Sequence, residues 1–495
     1  MKPISNILLL VLAIFLITFC NKPVNKKQPP NIILLMADDL GYGDVGYMGN
    51  QTVKTPYLDE MASQGIRFDR FYAAGPVCSP TRASCLTGRH PYRSGITWAG
   101  RYPLPDQEIT LAEALKIKEY ATGHFGKWHI GGLSKTIVQS EFPGGPTPYS
   151  PPWKNGFDVS FSTESMMPTY NPYYHVGGAI GKEDYRHVQK ESVTLGQKTG
   201  GFIWKDRYWT EPGQFEDKWL EGNDSKIIID RALDFIKKEA AEQNPFLAII
   251  WFHAPHTPIV AGNEYRKLYS DQSMEAQHWF GCITAMDEQI GRLRSELEKM
   301  NIKKNTILWF CSDNGPSYIH NYNSAGQLRG KKAELYEGGI RVPAVLEWPA
   351  RFNKPMVIST PVSTSDFYPT LMAITSITVE NQPYLDGENI LPILFKDQQR
   401  GKPIGFLSPL PARMKKQEIT DDEQFALVGE RYKLISVDDG NTFQLYDLKE
   451  DISESEDIST KKPGIVTAMK DKLLQWVESC RKESQKVKEK HEKAE

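Results

Sequence analysis

The chain has 495 residues, 40% hydrophobic, 11% aromatic and 24% charged, with 38 glycines and 33 prolines, a globular composition that excludes disorder, collagen and coiled coil for the whole. Basic residues (59) and acidic residues (61) nearly cancel to a net charge of −2, so no overall field recruits nucleic acid, and no nucleic-acid partner is expected. Six cysteines are too few for a disulfide scaffold, and the length suits one large α/β domain plus a smaller one.

The first twenty residues read as an export signal. Met1 and Lys2 give a short positive start, and Ile7 to Phe19 is apolar apart from Thr18. A membrane span needs about 20 such residues, so this run is too short for one. Cys20 follows, then a polar linker over 21–30. A cysteine in this place resembles the lipid-attachment site of a bacterial lipoprotein, although Phe19 departs from the small residue that pattern prefers. The other reading is an ordinary cleaved signal with an incidental cysteine. Both predict an exported protein, periplasmic or at the cell surface, and only the first brings membrane contact, through a lipid on Cys20.

Three apolar runs each end in polar chemistry. Ile32-Ile33-Leu34-Leu35-Met36 leads to Ala37-Asp38-Asp39. Leu247 to Phe252 leads to His253-Ala254-Pro255-His256, and Thr306 to Cys311 leads to Ser312-Asp313-Asn314-Gly315. Such runs, bounded by loops, are what strands buried on both faces look like. Helical patterns lie between them, at Ile227 to Lys238 and Ala276 to Lys299. Alternation of strand and helix predicts a doubly wound, mostly parallel sheet, with ligands bound beyond the carboxyl ends of its strands. Asp38, Asp39, His256, Asp313 and Asn314 all fall at that edge. The two acidic motifs can be read as turns, which their Gly and Asn would explain. Gathered at parallel strand ends, their oxygens instead suit a hard divalent cation, calcium or magnesium, over zinc.

Between the first and second runs stands Cys78-Ser79-Pro80-Thr81-Arg82-Ala83-Ser84-Cys85-Leu86-Thr87-Gly88-Arg89. Ser79 can cap a helix, Pro80 suits its first turn and Gly88 can end it. Cys78 would then sit at a helix N-terminus, where backbone N–H groups favour an anion. Spacing leaves it either a low-pKa thiolate or a small buried side chain.

The Cys78-x-Pro80-x-Arg82 pattern, with Ala83-Ser84 and Gly88-Arg89, resembles the signature of type I sulfatases, in the alkaline phosphatase superfamily. Tyr120 to Gly131 (YATGHFGKWHIG) resembles a second family signature, with Glu119 in place of its usual leading glycine. Asn31 to Gly43, Pro255-His256-Thr257-Pro258, Ser312 to Gly315, Lys332 to Pro343 and Leu445 to Leu448 match in the same order, so the resemblance covers about residues 30–475. It implies an alkaline phosphatase-like fold and hydrolysis of sulfate esters. It also implies that a maturation enzyme oxidises Cys78 to Cα-formylglycine, held as a hydrate. One hydroxyl attacks sulfur and expels the alcohol; the second then expels sulfate and regenerates the aldehyde. By matched position, Asp38, Asp39, Asp313 and Asn314 hold one calcium ion, with residue 78 completing the set. Arg82 and Lys127 stabilise the hydrate and the metal site, and His129 takes the proton of the second hydroxyl. Lys332 and His256 contact the sulfate and the leaving oxygen, which His256 protonates.

Bland readings suit other residues. His253 is a structural histidine, Trp128 a packing anchor, Lys331 a solvated neighbour of Lys332, and Cys85, Cys282 and Cys311 core thiols. Residues 138–223, rich in Pro, Gly, Tyr and Trp, read as a loop-rich insertion. Its His175, Arg186, His187 and Arg207 are weak candidates for a sugar-sulfate pocket, and the other reading is that its aromatics only cover the sheet. The expected catalytic domain is 31–377. Short apolar segments from 378 to 480, with a helix near Ile465 to Ser479, suggest a small antiparallel sheet domain, and 481–495 a charged tail. Together these predict an exported sulfatase acting on sulfated carbohydrate. A phosphate or phosphonate ester hydrolase, and a non-catalytic glycan-binding surface protein, are the alternatives.

Overall fold

The computed structural model describes residues 28–100, 102–135, 148–172, 174–175, 202–203, 207–216, 218–317, 322–411 and 422–492. The strands in chain order are β1 (Asn31–Ala37), β2 (Ile66–Tyr72), β3 (Ala121–Lys127), β4 (Val159–Thr163), β5 (Tyr174–His175), β6 (Phe202–Ile203), β7 (Tyr208–Glu211), β8 (Gln214–Glu216), β9 (Phe246–Trp251), β10 (Thr306–Ser312), β11 (Arg341–Glu347), β12 (Met356–Ile358) and β13 (Val362–Ser363). Eleven of these form one sheet in the order β12-β2-β11-β10-β1-β9-β3-β4-β7-β8, with β13 also on β2. The central five, β10-β1-β9-β3-β4, are all parallel. On one side β11 runs antiparallel between β10 and β2, and on the other β7 and β8 close the sheet antiparallel.

The apolar runs are continuous because each strand feeds two cores. Successive side chains of a strand point to opposite faces. Ile32, Leu34 and Met36 join Leu247, Ile249, Trp251, Ile307 and Trp309 on one face. Ile33, Leu35 and Ala37 join Ala248, Ile250, Leu308 and Phe310 on the other. Helices Asp224–Glu242 and Met274–Lys299 cover the second face with Ile228, Leu233, Ile283, Met286 and Ile290. Each contains the predicted periodic segment and starts at a side-chain cap, Asn223 or Ser273. Helices Cys78–Thr87 and Phe367–Thr375 cover the first face. Among the described residues, no helix is long and apolar enough to cross a membrane.

Part of the expected loop insertion is sheet. β4 pairs in parallel with β3, and Tyr208 and Trp209 of β7 are buried core side chains, so these aromatics cover the sheet. Farther along, β14 (Ile404–Pro409), β15 (Glu423–Val428), β16 (Tyr432–Ser436) and β17 (Gln444–Asp447) form a separate antiparallel meander. Helix Pro463–Glu492 packs on it through Leu473, Val477 and Cys480. The charged stretch from Arg481 continues this helix and is not wholly solvated. Glu483 pairs with both Arg89 and Arg93, which tie the helix to the segment after Cys78–Thr87.

Candidate active site

Strand register delivers the acidic pairs to one edge. Ala37 lies opposite Ser312, and Met36 opposite Trp251. The backbones stay joined one step further, Asp38 N donating to Ala254 O at 3.0 Å and Asp313 N to Ala37 O at 3.1 Å. Asp38, Asp39, Asp313 and Asn314 are each at most 2% exposed. Asp39 adopts a φ of 65°, a left-handed turn that Asp tolerates better than most residues.

Three cations converge on these carboxylates. Lys127, the last residue of β3, places Nζ 2.7 Å from Asp38 Oδ2. Arg82 donates to Asp313 Oδ2 at 2.7 Å and to Lys127 O at 2.9 Å, and its guanidinium lies over the Trp251 ring. Lys332 Nζ lies 2.5 Å from Asp39 Oδ1, which also accepts from Asn314 Nδ2 at 2.7 Å. Three carboxylates against three fixed cations leave no surplus positive charge for an anionic substrate. Yet Asp38 Oδ1 and Asn314 Oδ1 are buried and accept no hydrogen bond among the described residues, where buried acceptors nearly always have partners. Carboxylate oxygens of Asp38 and Asp313 lie within 4.8 Å of each other and of Cys78 Sγ, as do ligand atoms of Asp38, Asp39 and His256. Orphaned, anionic and oxygen-rich, this set fits a divalent cation. Its electrostatics agree. Burial, reinforced by Asp38, pushes the Asp313 carboxyl up to about 7 against the pull of Arg82. For Asp38 burial is outweighed by Lys127, His256, Arg82 and Lys332, which hold it well below the usual carboxylate range.

Cys78 opens its helix at 2% exposure, and burial pushes its thiol up despite Lys127 and Lys332. Burial, with Asp38 and Asp313, thus opposes a low-pKa thiolate in the unmodified side chain. The cap expectation also needs correcting. Val77 precedes the helix without a side-chain cap, and Ser79 lies inside the first turn. Its hydroxyl instead donates to His129 O at 2.5 Å and accepts from Gly100 N at 2.9 Å. Gly88 does end the helix, at a φ of 70°.

Two histidines face the same edge. His129 has a φ of 58°, and its N donates to Glu164 O at 3.0 Å beyond β4. Burial, with Lys127 and Arg82, holds its imidazole well below its ordinary pKa. His256 donates from Nδ1 to Thr257 O at 2.6 Å, because a carbonyl can only accept. Its Nε2 lies 3.7 Å from Asp39 Oδ2. Burial lowers its pKa to about 4, with Lys127 and Lys332 acting against Asp38 and Asp39.

His253 is the structural group expected. It is fully buried, with Asp224 Oδ2 at 2.8 Å and Thr163 Oγ1 at 2.7 Å. Trp128 donates to Ser150 O and stacks near Trp251. Lys331 is partly buried, and Cys85, Cys282 and Cys311 are buried free thiols. Of the weak sugar candidates, Arg207 lies over the Phe215 ring, and His175 is placed only by its backbone pairing with Phe202. Arg186, His187 and Cys20 lie outside the described residues. Sequence reading missed Ser312, whose hydroxyl accepts from Leu40 N and donates to Asn314 O, so it ties the two acidic loops together. Only its place between Cys311 and Asp313 could have signalled it.

The model of the sulfatase family matches residues 30–377, and that of the N-sulphoglucosamine sulphohydrolase C-terminal region matches residues 330–481. An N-acetylgalactosamine-6-sulfatase of Canis lupus familiaris is 31% identical over 410 residues, covering 76% of this chain and 68% of the relative. The crystal structure of Ps i-CgsB in complex with k-i-k-neocarrahexaose aligns at a TM-score of 0.74 and 27% identity, over 91% of this chain and 93% of that one. A Bacteroides thetaiotaomicron sulfatase from a glycosaminoglycan-metabolism study aligns at 0.69 and 25%, over 92% and 100%. The alkaline phosphatase-like sheet and these matches agree, and the chain belongs to the sulfatase family: it is a sulfuric ester hydrolase.

Proposed function

We propose that the chain desulfates a sulfated poly- or oligosaccharide, with Cys78 in its formylglycine form and calcium held by Asp38, Asp39, Asp313 and Asn314. The observation that carries this reading is the meeting of Cys78 with the acidic set, three cations and two histidines at one sheet edge. The sugar sulfatase among the relatives and the neocarrahexaose complex among the structural neighbours support a carbohydrate substrate. Formylglycine supplies a hydrated aldehyde as nucleophile, and a bound cation draws charge from the ester oxygens.

The chain's own residues account for the rest. Cys78 Sγ marks where the hydrate oxygens would stand, and Arg82 and Lys127 fix the carboxylates around that point. Lys332 offers its ammonium to the anionic ester, a fixed charge in a buried site. His129, kept neutral by burial, is poised to accept the proton that residue 78 gives up. His256 presents Nε2 to the same space. An anionic ester bound beside it raises its proton affinity, so it can carry a proton to the departing alcohol. A formylglycine-generating enzyme is the implied partner. Export rests on residues 1–20 alone, and a lipid on Cys20 remains the alternative to a free soluble form.

Mass spectrometry of the Cys78 peptide tests the nucleophile. It should be about 18 Da lighter than the cysteine form, because thiol becomes aldehyde. Matched aryl sulfate and aryl phosphate esters, followed by sulfated oligosaccharides, test the substrate class. An unmodified thiol in fully active protein would end this reading of residue 78, and dominant phosphatase activity would favour the phosphate alternative.

A further inference from the structure

Lys332 is not on a strand or helix. It sits in the turn that precedes the single helical turn Glu337–Ile340, and its neighbour Ala333 has a φ of 75°. An alanine in the left-handed region is strained, and such a residue persists only where its surroundings hold it. The holders are identifiable. Lys332 N donates to Pro316 O at 2.9 Å, two residues beyond Asn314. Ala333 N donates to Pro76 O at 2.8 Å, two residues before Cys78. The third holder comes from the C-terminal meander. Gln424, fully buried on β15, donates from Nε2 to Ala333 O at 2.6 Å and accepts at Oε1 from Leu335 N at 2.9 Å. A further bond from Nε2 to Pro409 O on β14, at 3.2 Å, fixes the amide's orientation. Two carbonyls must face the NH2 group and one backbone N–H the oxygen, so only one flip satisfies all three.

We propose that Gln424 is a positioning residue for Lys332, through which the C-terminal sheet holds the strained turn that aims the ammonium at Asp39 and the sulfate position. The proposal rests on the role given to Lys332 above. Gln424 touches neither substrate nor the reacting atoms; it acts through the Ala333 and Leu335 backbone. Without it, the turn can relax toward ordinary backbone angles, and Lys332 Nζ moves while Lys127 and Arg82 stay in place. Small misplacements of a positioned group lower turnover by about 10–100-fold.

The test is a double-mutant cycle on the matured, full-length enzyme with an aryl sulfate, reading kcat and KM with melting temperature as a control. Gln424→Leu should lower kcat by about tenfold or more in the wild-type background and have little further effect beside Lys332→Met. Gln424→Asn keeps both the donor and the acceptor on an arm one methylene shorter, so it should fall between wild type and the leucine variant. It also serves if the leucine variant folds poorly. Ala333→Gly removes the backbone strain and should restore part of the turnover lost in either Gln424 variant. Equal losses from the Gln424 variants with and without Lys332, or losses that only track the folded fraction, would overturn the proposal. If Lys332→Met is damaging while both Gln424 variants turn over normally, only Gln424 is misassigned. A harmless Lys332→Met would instead remove the role of Lys332 and this proposal with it.

Discussion

Asp313→Asn is the sharpest probe of the acidic edge, because it keeps the shape and removes one charge. Asp313 accepts twice, from Arg82 at Oδ2 and from Asp39 N at Oδ1. An amide offers only one oxygen, so in either orientation an NH2 group faces a donor. Loss of one charge-assisted hydrogen bond costs about 1.5–3 kcal/mol. Stripping a buried ion of its partner costs about 3–5 kcal/mol. Arg82 keeps Lys127 O and a 3.6 Å approach to Asp38 Oδ2, so the lower end, about 3 kcal/mol, is expected. Cation affinity should fall as well, since one of three carboxylates becomes neutral. Wild-type protein bound to calcium at 100 times its Kd would gain about 2.7 kcal/mol, which chelation removes. The assay is thermal unfolding with and without calcium, alongside metal content and aryl sulfate turnover. Wild type should melt lower after its metal is removed, and the variant should melt low in both conditions, hold less metal and lose most turnover. A variant with wild-type metal content, the same calcium-dependent rise in melting temperature and undiminished turnover would refute the assignment of Asp313 to the cation.

Other expectations follow from single contacts. Ser79→Ala withdraws the side-chain partner of His129 O and Gly100 N; at about 1–3 kcal/mol per buried group, it should lower melting temperature and reduce kcat more than it raises KM. Unchanged kcat would show that Ser79 does not hold His129 in place. His278 accepts from Ala261 N at 3.0 Å, and burial lowers its pKa to about 4. The unfolded chain therefore takes up this proton below pH 6.5 while the folded one does not until about pH 4, so the group costs up to about 3 kcal/mol of stability as pH falls through that window. His278→Asn, which keeps an acceptor, should be less acid-sensitive than wild type when melting is compared at pH 7 and pH 4.5. The comparison must be between variants, because burial raises Asp44 and Asp287 to about 7 and tilts the wild-type profile the other way. Equal acid sensitivity in the two proteins would show that His278 does not titrate as argued.

The central sheet was legible in the sequence because its strands are buried on both faces. β1, β9 and β10 therefore appear as unbroken apolar runs, and each ends on the residues that line the site. β3 was legible only as a signature, since Ala-Thr-Gly-His-Phe-Gly-Lys has no apolar run. It is central because its neighbours β9 and β4 bury it; at Gly126 a Cβ would stand 1.9 Å from Trp251 O, so no side chain fits there. The antiparallel entry of β11 was also hidden, because pairing direction depends on partners distant in the chain. Motif order, from Asp38-Asp39 through Cys78-x-Pro80-x-Arg82 to Lys332, made the family and the candidate site residues readable in one dimension. Which cation answers which carboxylate was not readable. Lys127 meets Asp38, Arg82 meets Asp313, and Lys332 meets Asp39 across 89, 231 and 293 residues of chain. Ser79 shows the same limit locally: its sequence position suits a helix cap, and only the approach of the chain at His129 and Gly100 gives its hydroxyl better partners. The sequence by itself determined the chemistry available, because residue type fixes charge, ligand atoms and strand or helix period. Tertiary structure alone decided the pairings, the orphaned oxygens at Asp38 and Asn314 and the reach of Gln424 to the lysine turn, because these depend on distances that only the folded chain sets.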